Sequence, residues 1–380
     1  MSTETKGSLR VQVKASVLHG IKDLKIVIRH LGDPEPSEVT VAVQSTGLCG
    51  SDLHYFNHYR NGDIIVREPL TLGHESAGTV MAVGDEVTTL KVGDKVALEV
   101  GLPCQSCELC TSGRYNICPA LRFRSSAKSF PHFQGTLQER INHPAVYCHK
   151  LPSSVSQELG AILEPLGVAI HASRRAELPS NSTVLVLGAG SVGQLCAAMA
   201  KYDGANRVII ADIQQERVEF ALSHQFADAS VVVPMKRFER IEDKLAFAKE
   251  VAALAKAQNL GAEVDAVFEC TGMESCLQAA IYATKPGGRV MLIGMGQPVQ
   301  TLPISSAALR EIDLVGVFRY ASTYDEAIKV VERLPQLASL VTQRFKGFEN
   351  IPAAFAMAGR ANDDNGALVL KVVVDLGSTS

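Results

Sequence analysis

Residues 183–193 read TVLVLGAGSVG, and the fold of half the chain turns on them. An apolar strand runs into Gly188, Ala189, Gly190, Ser191, Val192 and Gly193, and helical spacing follows. A lone G-x-G-x-x-G is weak. One that follows a strand and opens a helix sets backbone N–H groups and a helix N-terminus where a pyrophosphate can sit. The next strand, RVIIADI, brings Asp212 about twenty residues on, where a carboxylate meets the ribose hydroxyls of an adenosine. ASVVVP, VDAVFEC, RVMLIG and DLVGVF then read as strands separated by helical stretches such as DKLAFAKEVAALAKAQ. Six strands in this rhythm imply a doubly wound parallel sheet, and with it a dinucleotide. FAD is the rival cofactor, but no second nucleotide site or flavin-holding segment is apparent.

Working outward, the chain of 380 residues is too long for one ordinary core, and two domains are expected. Upstream, from Val11 to about Val100, short strands dominate: Val39, Val41 and Val43 alternate with other residues, and Gly93-Asp94 marks a turn before KVALEV. This is an irregular antiparallel, barrel-like region. Downstream, a helical stretch and the strand ALVLKVVVD are expected to return to it. The expected division is a first domain over 1–166, a dinucleotide domain over 167–318, and the return over 319–380.

Composition narrows the function. The net charge of −3 gives no reason to expect nucleic acid or an anionic membrane, and 6% aromatics argue against a base-stacking surface. No apolar run approaches the roughly 20 residues that span a bilayer. MSTETKGSLR lacks the apolar core of a leader and DLGSTS is no recognisable address, so a cytoplasmic protein is expected. Its nine cysteines should then be mostly reduced, and clustered ones read as metal ligands before disulfides.

Such a cluster exists in PCQSCELCTSGRYNICPA, where Cys104, Cys107, Cys110 and Cys118 are separated by two, two and seven residues. Four thiolates in a polar, loop-like segment imply a closed tetrahedral zinc site, structural because no position is left open. An iron–sulfur cluster is the rival, but the last gap does not match the bacterial ferredoxin run.

A second metal is suggested by GLCGSDLHYFNHYRNGDIIVREPLTLGHESAGTVMAVG, residues 47–84. Cys49 and His74 offer the thiolate and imidazole that zinc prefers, with Ser51, His54, Tyr55 and Glu75 beside them as polar groups. Glu164 lies among apolar residues in LGAILEPLGVAIHASRRA; if buried, its carboxylate must be paired or bound to a metal, and otherwise it is a solvated helix residue.

With zinc candidates in one part and a nicotinamide-type fold in the other, the chain resembles the zinc-containing medium-chain dehydrogenases, which join a GroES-like domain to a Rossmann domain. GLCGSDLHY, GHESAGTVMAVG, LEPLGVAIHA, GAGSVG, FECTG and GVFRY carry the resemblance, which covers nearly the whole chain and points to the polyol dehydrogenases, with sorbitol the first expected substrate and L-arabinitol or xylitol the alternative, and with INHPAVYCHKLP similar to fungal members. It implies NAD, a structural zinc and a catalytic zinc at Cys49, His74 and Glu75, with Glu164 bonded to the water on that metal or entering its shell. It implies Tyr55, Arg319 and Tyr320 at a polyol substrate. At the cofactor it implies Val192, Asp212 and Arg217, with Ile293, Gly294, Met295, Val317, Phe318 and Arg319 after the later strands. A homotetramer is the family expectation.

The charges favour one arrangement of the carboxylates. Zinc with one thiolate, one neutral imidazole and one carboxylate is formally neutral, and a second carboxylate would blunt its electrophilicity, which places Glu164 outside the shell. Ser51 and His54 are the expected proton path, the imidazole having a suitable pKa. Adjacent His74 and Glu75 would face opposite ways in a regular strand, so both can reach one ion only across a turn. Two further readings stand beside polyol oxidation. A catalytically silent relative is opposed by the intact ligand set, and a dehydrogenase of apolar alcohols is opposed by the polar Tyr55, Arg319 and Tyr320.

Overall fold

A computed structural model describes residues 11–377. The segment 1–10, read above for a leader, lies outside the described residues, as do the last three of DLGSTS. The chain forms two compact units, Met1–Glu164 with Tyr324–Ser380, and Pro165–Thr323. The sequence reading sets the joins at 166/167 and 318/319.

In the first unit, the strand Glu38–Gly47 is the hub of a seven-stranded sheet. It pairs antiparallel with Glu75–Val83, Arg140–Pro144 and Lys371–Asp375. Val39, Val41 and Val43 are buried, as alternation requires of an inward face. One feature departs from the antiparallel expectation: Lys371–Asp375 lies parallel to Val341–Lys346, so the sheet is mixed. Such a pair needs a long crossover, and the helix Ile351–Ala358 lies within it. That helix seats Phe355 against Phe56, with ring centroids 4.8 Å apart, in one core that also holds Leu18, Val41, Leu72 and Val374. The C-terminal return is therefore part of the first unit's core.

The second unit is a six-stranded parallel sheet, with strands labelled in chain order as β1 (Thr183–Leu187), β2 (Arg207–Asp212), β3 (Ala229–Val232), β4 (Val264–Glu269), β5 (Thr284–Leu292) and β6 (Asp313–Gly316). Their order is β3-β2-β1-β4-β5-β6. The order reverses between β1 and β4, and the crevice at the carboxyl ends of those two strands is where such sheets bind dinucleotides. Leu185, Ile209, Val267 and Val290 are fully buried from four neighbouring strands, as expected of a sheet covered on both faces.

Candidate metal centre and dinucleotide site

Cys49 immediately precedes the helix Gly50–His58, and His74 immediately precedes the strand Glu75–Val83. Gly73, at φ +90°, turns the chain ahead of His74, so His74 and Glu75 do not alternate as strand neighbours would. Side-chain ligand atoms of Cys49, His74 and Glu75 lie within 4.8 Å of one another. Thiolate, imidazole and carboxylate at this separation fit one zinc ion and leave a fourth position free.

Asp52, which the sequence reading passed over, organises these ligands. It is fully buried, accepts the Cys49 N–H at 3.3 Å and the Gly73 N–H at 3.2 Å, and accepts the Ser125 hydroxyl at 2.6 Å. It stands 3.2 Å from His74 Nδ1. Burial works against the Asp52 charge, but His74, Ser125 and Gly73 outweigh it and hold the carboxyl below its ordinary range. Burial likewise opposes protonation of His74, and Asp52 overrides it, pushing the imidazole pKa well above its usual value. With Nδ1 on Asp52, Nε2 is the nitrogen left to face a metal. Phe123 meets the His74 ring edge-on, with ring centroids 5.5 Å apart.

Lys371 was also missed. Its Nζ lies 2.7 Å from both oxygens of Glu75 and 3.2 Å from the Leu48 carbonyl oxygen, and lysine and glutamate are both buried. Burial disfavours the ammonium, yet the Glu75 carboxylate, with Cys49 and Glu164, raises its pKa above the ordinary lysine value. Glu164 is buried near this group but is not among the three residues whose ligand atoms cluster. Ser51 is half-buried and His54 exposed on the helix Gly50–His58. Tyr55 is buried in the core, and its hydroxyl oxygen accepts the Ala127 N–H at 3.2 Å.

The second cluster is closed. Four of the six Sγ–Sγ separations among Cys104, Cys107, Cys110 and Cys118 run from 3.4 to 3.9 Å, and all lie within 4.8 Å. A tetrahedron with zinc–sulfur bonds of about 2.3 Å has edges of about 3.8 Å, whereas ligands wrapped around several irons would stand farther apart. Tyr115, between the third and fourth cysteines, donates its hydroxyl to the buried Glu99, which is also 2.8 Å from His149. The lobe is thereby pinned to the sheet.

In the second unit, Gly188 takes φ +94°, and a side chain on Gly193 would collide with the Gly188 carbonyl oxygen, so helix and strand meet closely. Gly190 directly precedes the helix Ser191–Tyr202, with Val192 half-buried in its first turn. Asp212 accepts the Ala189 N–H at 2.6 Å and the Gln214 N–H at 2.9 Å, which fixes its carboxylate beside the glycine turn. A cavity of about 430 Å³ opens there, lined by Gly188, Asp212, Arg217, Met273 and Cys276 among others. Its size suits an adenosine moiety. Ile293 and Gly294 follow β5 and donate to the Glu269 carbonyl oxygen; Met295 is exposed. After β6, Val317 donates to the Leu292 carbonyl oxygen, and the Arg319 guanidinium sits 4.8 Å over the Phe318 ring. Arg319 adopts φ +51°, and Tyr320 is buried against Gly167.

These arrangements have relatives. The alcohol dehydrogenase GroES-like domain matches residues 35–153, and the zinc-binding dehydrogenase domain matches 191–333. Sorbitol dehydrogenase of Gallus gallus is 41% identical over 87% of this chain and 89% of its own. A probable D-xylulose reductase A of Emericella nidulans is 41% identical over 83% of this chain and 84% of its own. Among solved structures, L-idonate 5-dehydrogenase from Escherichia coli superposes with a TM-score of 0.83 at 25% identity, covering 97% of this chain and 99% of that one. Glycine turn, two clusters of metal-ligating side chains and relatives agree: the chain belongs to the zinc-containing, NAD-dependent medium-chain dehydrogenases, among those of the sorbitol dehydrogenase type.

Proposed function

We propose that this enzyme oxidises the secondary alcohol at carbon 2 of sorbitol to the ketose. The observation that carries the reading is the triad of half-buried Cys49 with buried His74 and Glu75, three donors that leave one position for a hydroxyl. When bound, zinc lowers the pKa of a hydroxyl as a Lewis acid, and NAD accepts the hydride. The protein's part is placement and proton handling. Asp52 orients His74, and Lys371 holds the Glu75 carboxylate in place. Glu164 holds the reacting hydroxyl, while Ser51 and His54 carry its proton to solvent. Tyr55, Arg319 and Tyr320 recognise the hydroxylated chain, and Asp212 takes the adenosine ribose, selecting NAD over NADP by repelling a 2′-phosphate. The D-xylulose reductase among the relatives favours xylitol as a second substrate. The working form in this reading is a cytoplasmic homotetramer, which light scattering on the purified enzyme tests.

A kinetic panel decides the substrate. Sorbitol and xylitol should exceed ethanol by orders of magnitude in kcat/KM, since donors built for several hydroxyls are left unpaired by an analogue that lacks them. Arg319→Ala should harm sorbitol far more than a short diol. Equal losses on both would remove Arg319 from substrate recognition, and ethanol turned over as well as sorbitol would refute the polyol reading.

A further inference from the structure

Glu269 closes β4 at the reversal point of the sheet, level with Leu187 of β1 and Leu292 of β5. It is 2% exposed. Its carboxylate is met by hydrogen-bond donors, none of them cationic: the Thr271 N–H at 2.8 Å, the Thr271 hydroxyl, and the Gly272 N–H at 2.9 Å. Burial pushes its carboxyl up, against the pull of those donors. A buried carboxylate is costly, and an apolar residue could fill the volume, so its acceptors must be serving the turn it holds.

That turn is a wall of the cofactor site. Thr271 and Met273 line the adenosine cavity. The Thr271 oxygen accepts the Met273 N–H at 2.9 Å while its hydroxyl points at Glu269, and its methyl packs where a side chain on Gly188 would be. Gly272, at φ +71°, presses its backbone on residues 294–296 so tightly that a side chain on Gly294 or Gly296 would collide with it. The Glu269 main chain completes the junction: its carbonyl oxygen accepts from Ile293 and Gly294, and the next N–H donates to Leu187. One side chain thus sets the spacing between the glycine turn after β1 and the loop after β5, both of which carry cofactor candidates.

We propose that Glu269 is a positioning residue for the dinucleotide: its two carboxylate oxygens hold the Thr271–Gly272 turn in the shape that binds NAD. The proposal rests on the dinucleotide assignment and is independent of which polyol is oxidised. Glu269→Gln keeps the volume but sets an NH2 group against the Gly272 N–H, losing one charge-assisted bond. NADH titrated by its fluorescence, with no polyol present, should bind about ten- to a hundredfold more weakly to this variant, the range of one such bond. Zinc content should stay at that of the unmutated enzyme, and the kinetic loss should appear as a raised KM for NAD. Thr271→Val, which removes the hydroxyl and keeps the shape, should weaken NADH in the same direction, and the double variant should fall short of the product of the two losses. Unchanged NADH affinity in Glu269→Gln would overturn the proposal. So would weakening in Glu269→Gln accompanied by lost thermal stability while Thr271→Val binds normally. Failure of the unmutated enzyme to bind NADH would instead strike the dinucleotide assignment beneath it.

Discussion

Replacing Lys371 by Met tests whether Glu75 is shared between an internal cation and the metal. The ammonium lies 2.7 Å from both Glu75 oxygens, with glutamate 1% and lysine 5% exposed. Removing one partner of such a pair strands the other as an unpaired buried charge, at a cost of about 3–5 kcal/mol. Zinc at Cys49, His74 and Glu75 would supply the missing positive charge, so the cost should shrink to about 1 kcal/mol or less once the ion is in place. A local probe reads this pair apart from the rest of the molecule. Hydrogen exchange of peptides covering Glu75–Val83 and Lys371–Asp375 reports the local opening free energy. It should be measured with two zinc ions per chain, and again after mild chelation has taken only the open-site ion. A large loss in the one-zinc form and a small loss in the two-zinc form are expected. Equal losses in both forms would mean that the metal does not engage Glu75, and the reasoning would fail. Glu75→Gln combined with Lys371→Met should recover much of the one-zinc loss, since no buried charge then remains in the pair.

Two further outcomes follow from the first unit. The Cys104, Cys107, Cys110 and Cys118 sulfurs are spaced for one tetrahedral ion, so elemental analysis should find two zinc ions per chain, falling to one with a lowered melting temperature in Cys107→Ser; full stability in that variant would remove the structural role. His143 is fully buried, with Nδ1 accepting from Arg124 at 3.2 Å and Nε2 donating to the Glu99 carbonyl oxygen at 3.0 Å, and burial, helped by the Arg124 charge, holds its pKa well below the ordinary value. Below about pH 6.5 the unfolded chain takes up a proton that the native imidazole refuses, so stability should fall with pH by about 1.4 kcal/mol per unit from this group. His143→Gln can keep both hydrogen bonds and lacks the titration, so denaturant unfolding between pH 7 and 5 should show a shallower slope, and identical slopes would contradict the assignment.

The parts of this protein legible in sequence are those whose physics is local. A strand, a glycine turn and a helix lie within twenty residues, so the dinucleotide unit announces itself at Gly188 and Asp212. The four cysteines fall within fifteen residues, and their spacing alone closes a tetrahedron. Cys49 and His74, twenty-five positions apart, became readable only with that cluster and the glycine turn beside them. Tyr55 has its hydroxyl oxygen accepting a main-chain N–H, which leaves its hydroxyl hydrogen to donate to a substrate, a detail its place in GSDLHY does not show.

Asp52 shows a signal that was present and unread. It is the third residue of a helix that starts right after a metal ligand, where a carboxylate can cap the helix and reach back to the metal's surroundings. Lys371 is harder, and for a physical reason. It stands in ALVLKVVVD, a strand apolar on both sides of it, which reads as buried on both faces. A lysine there must have a partner, and that much is deducible. Which partner depends on sheet register: Lys371–Asp375 lies beside Glu38–Gly47, which lies beside Glu75–Val83, and only this order of strands brings positions 296 residues apart to 2.7 Å. Arg124 makes the same point without a carboxylate. Burial pushes its pKa down to about 10, and it is held by the Gln134 and Asn142 carbonyl oxygens and the His143 ring, acceptors that only the folded sheet assembles. Buried charge can therefore be suspected from its apolar flanks, but its compensation is a property of topology.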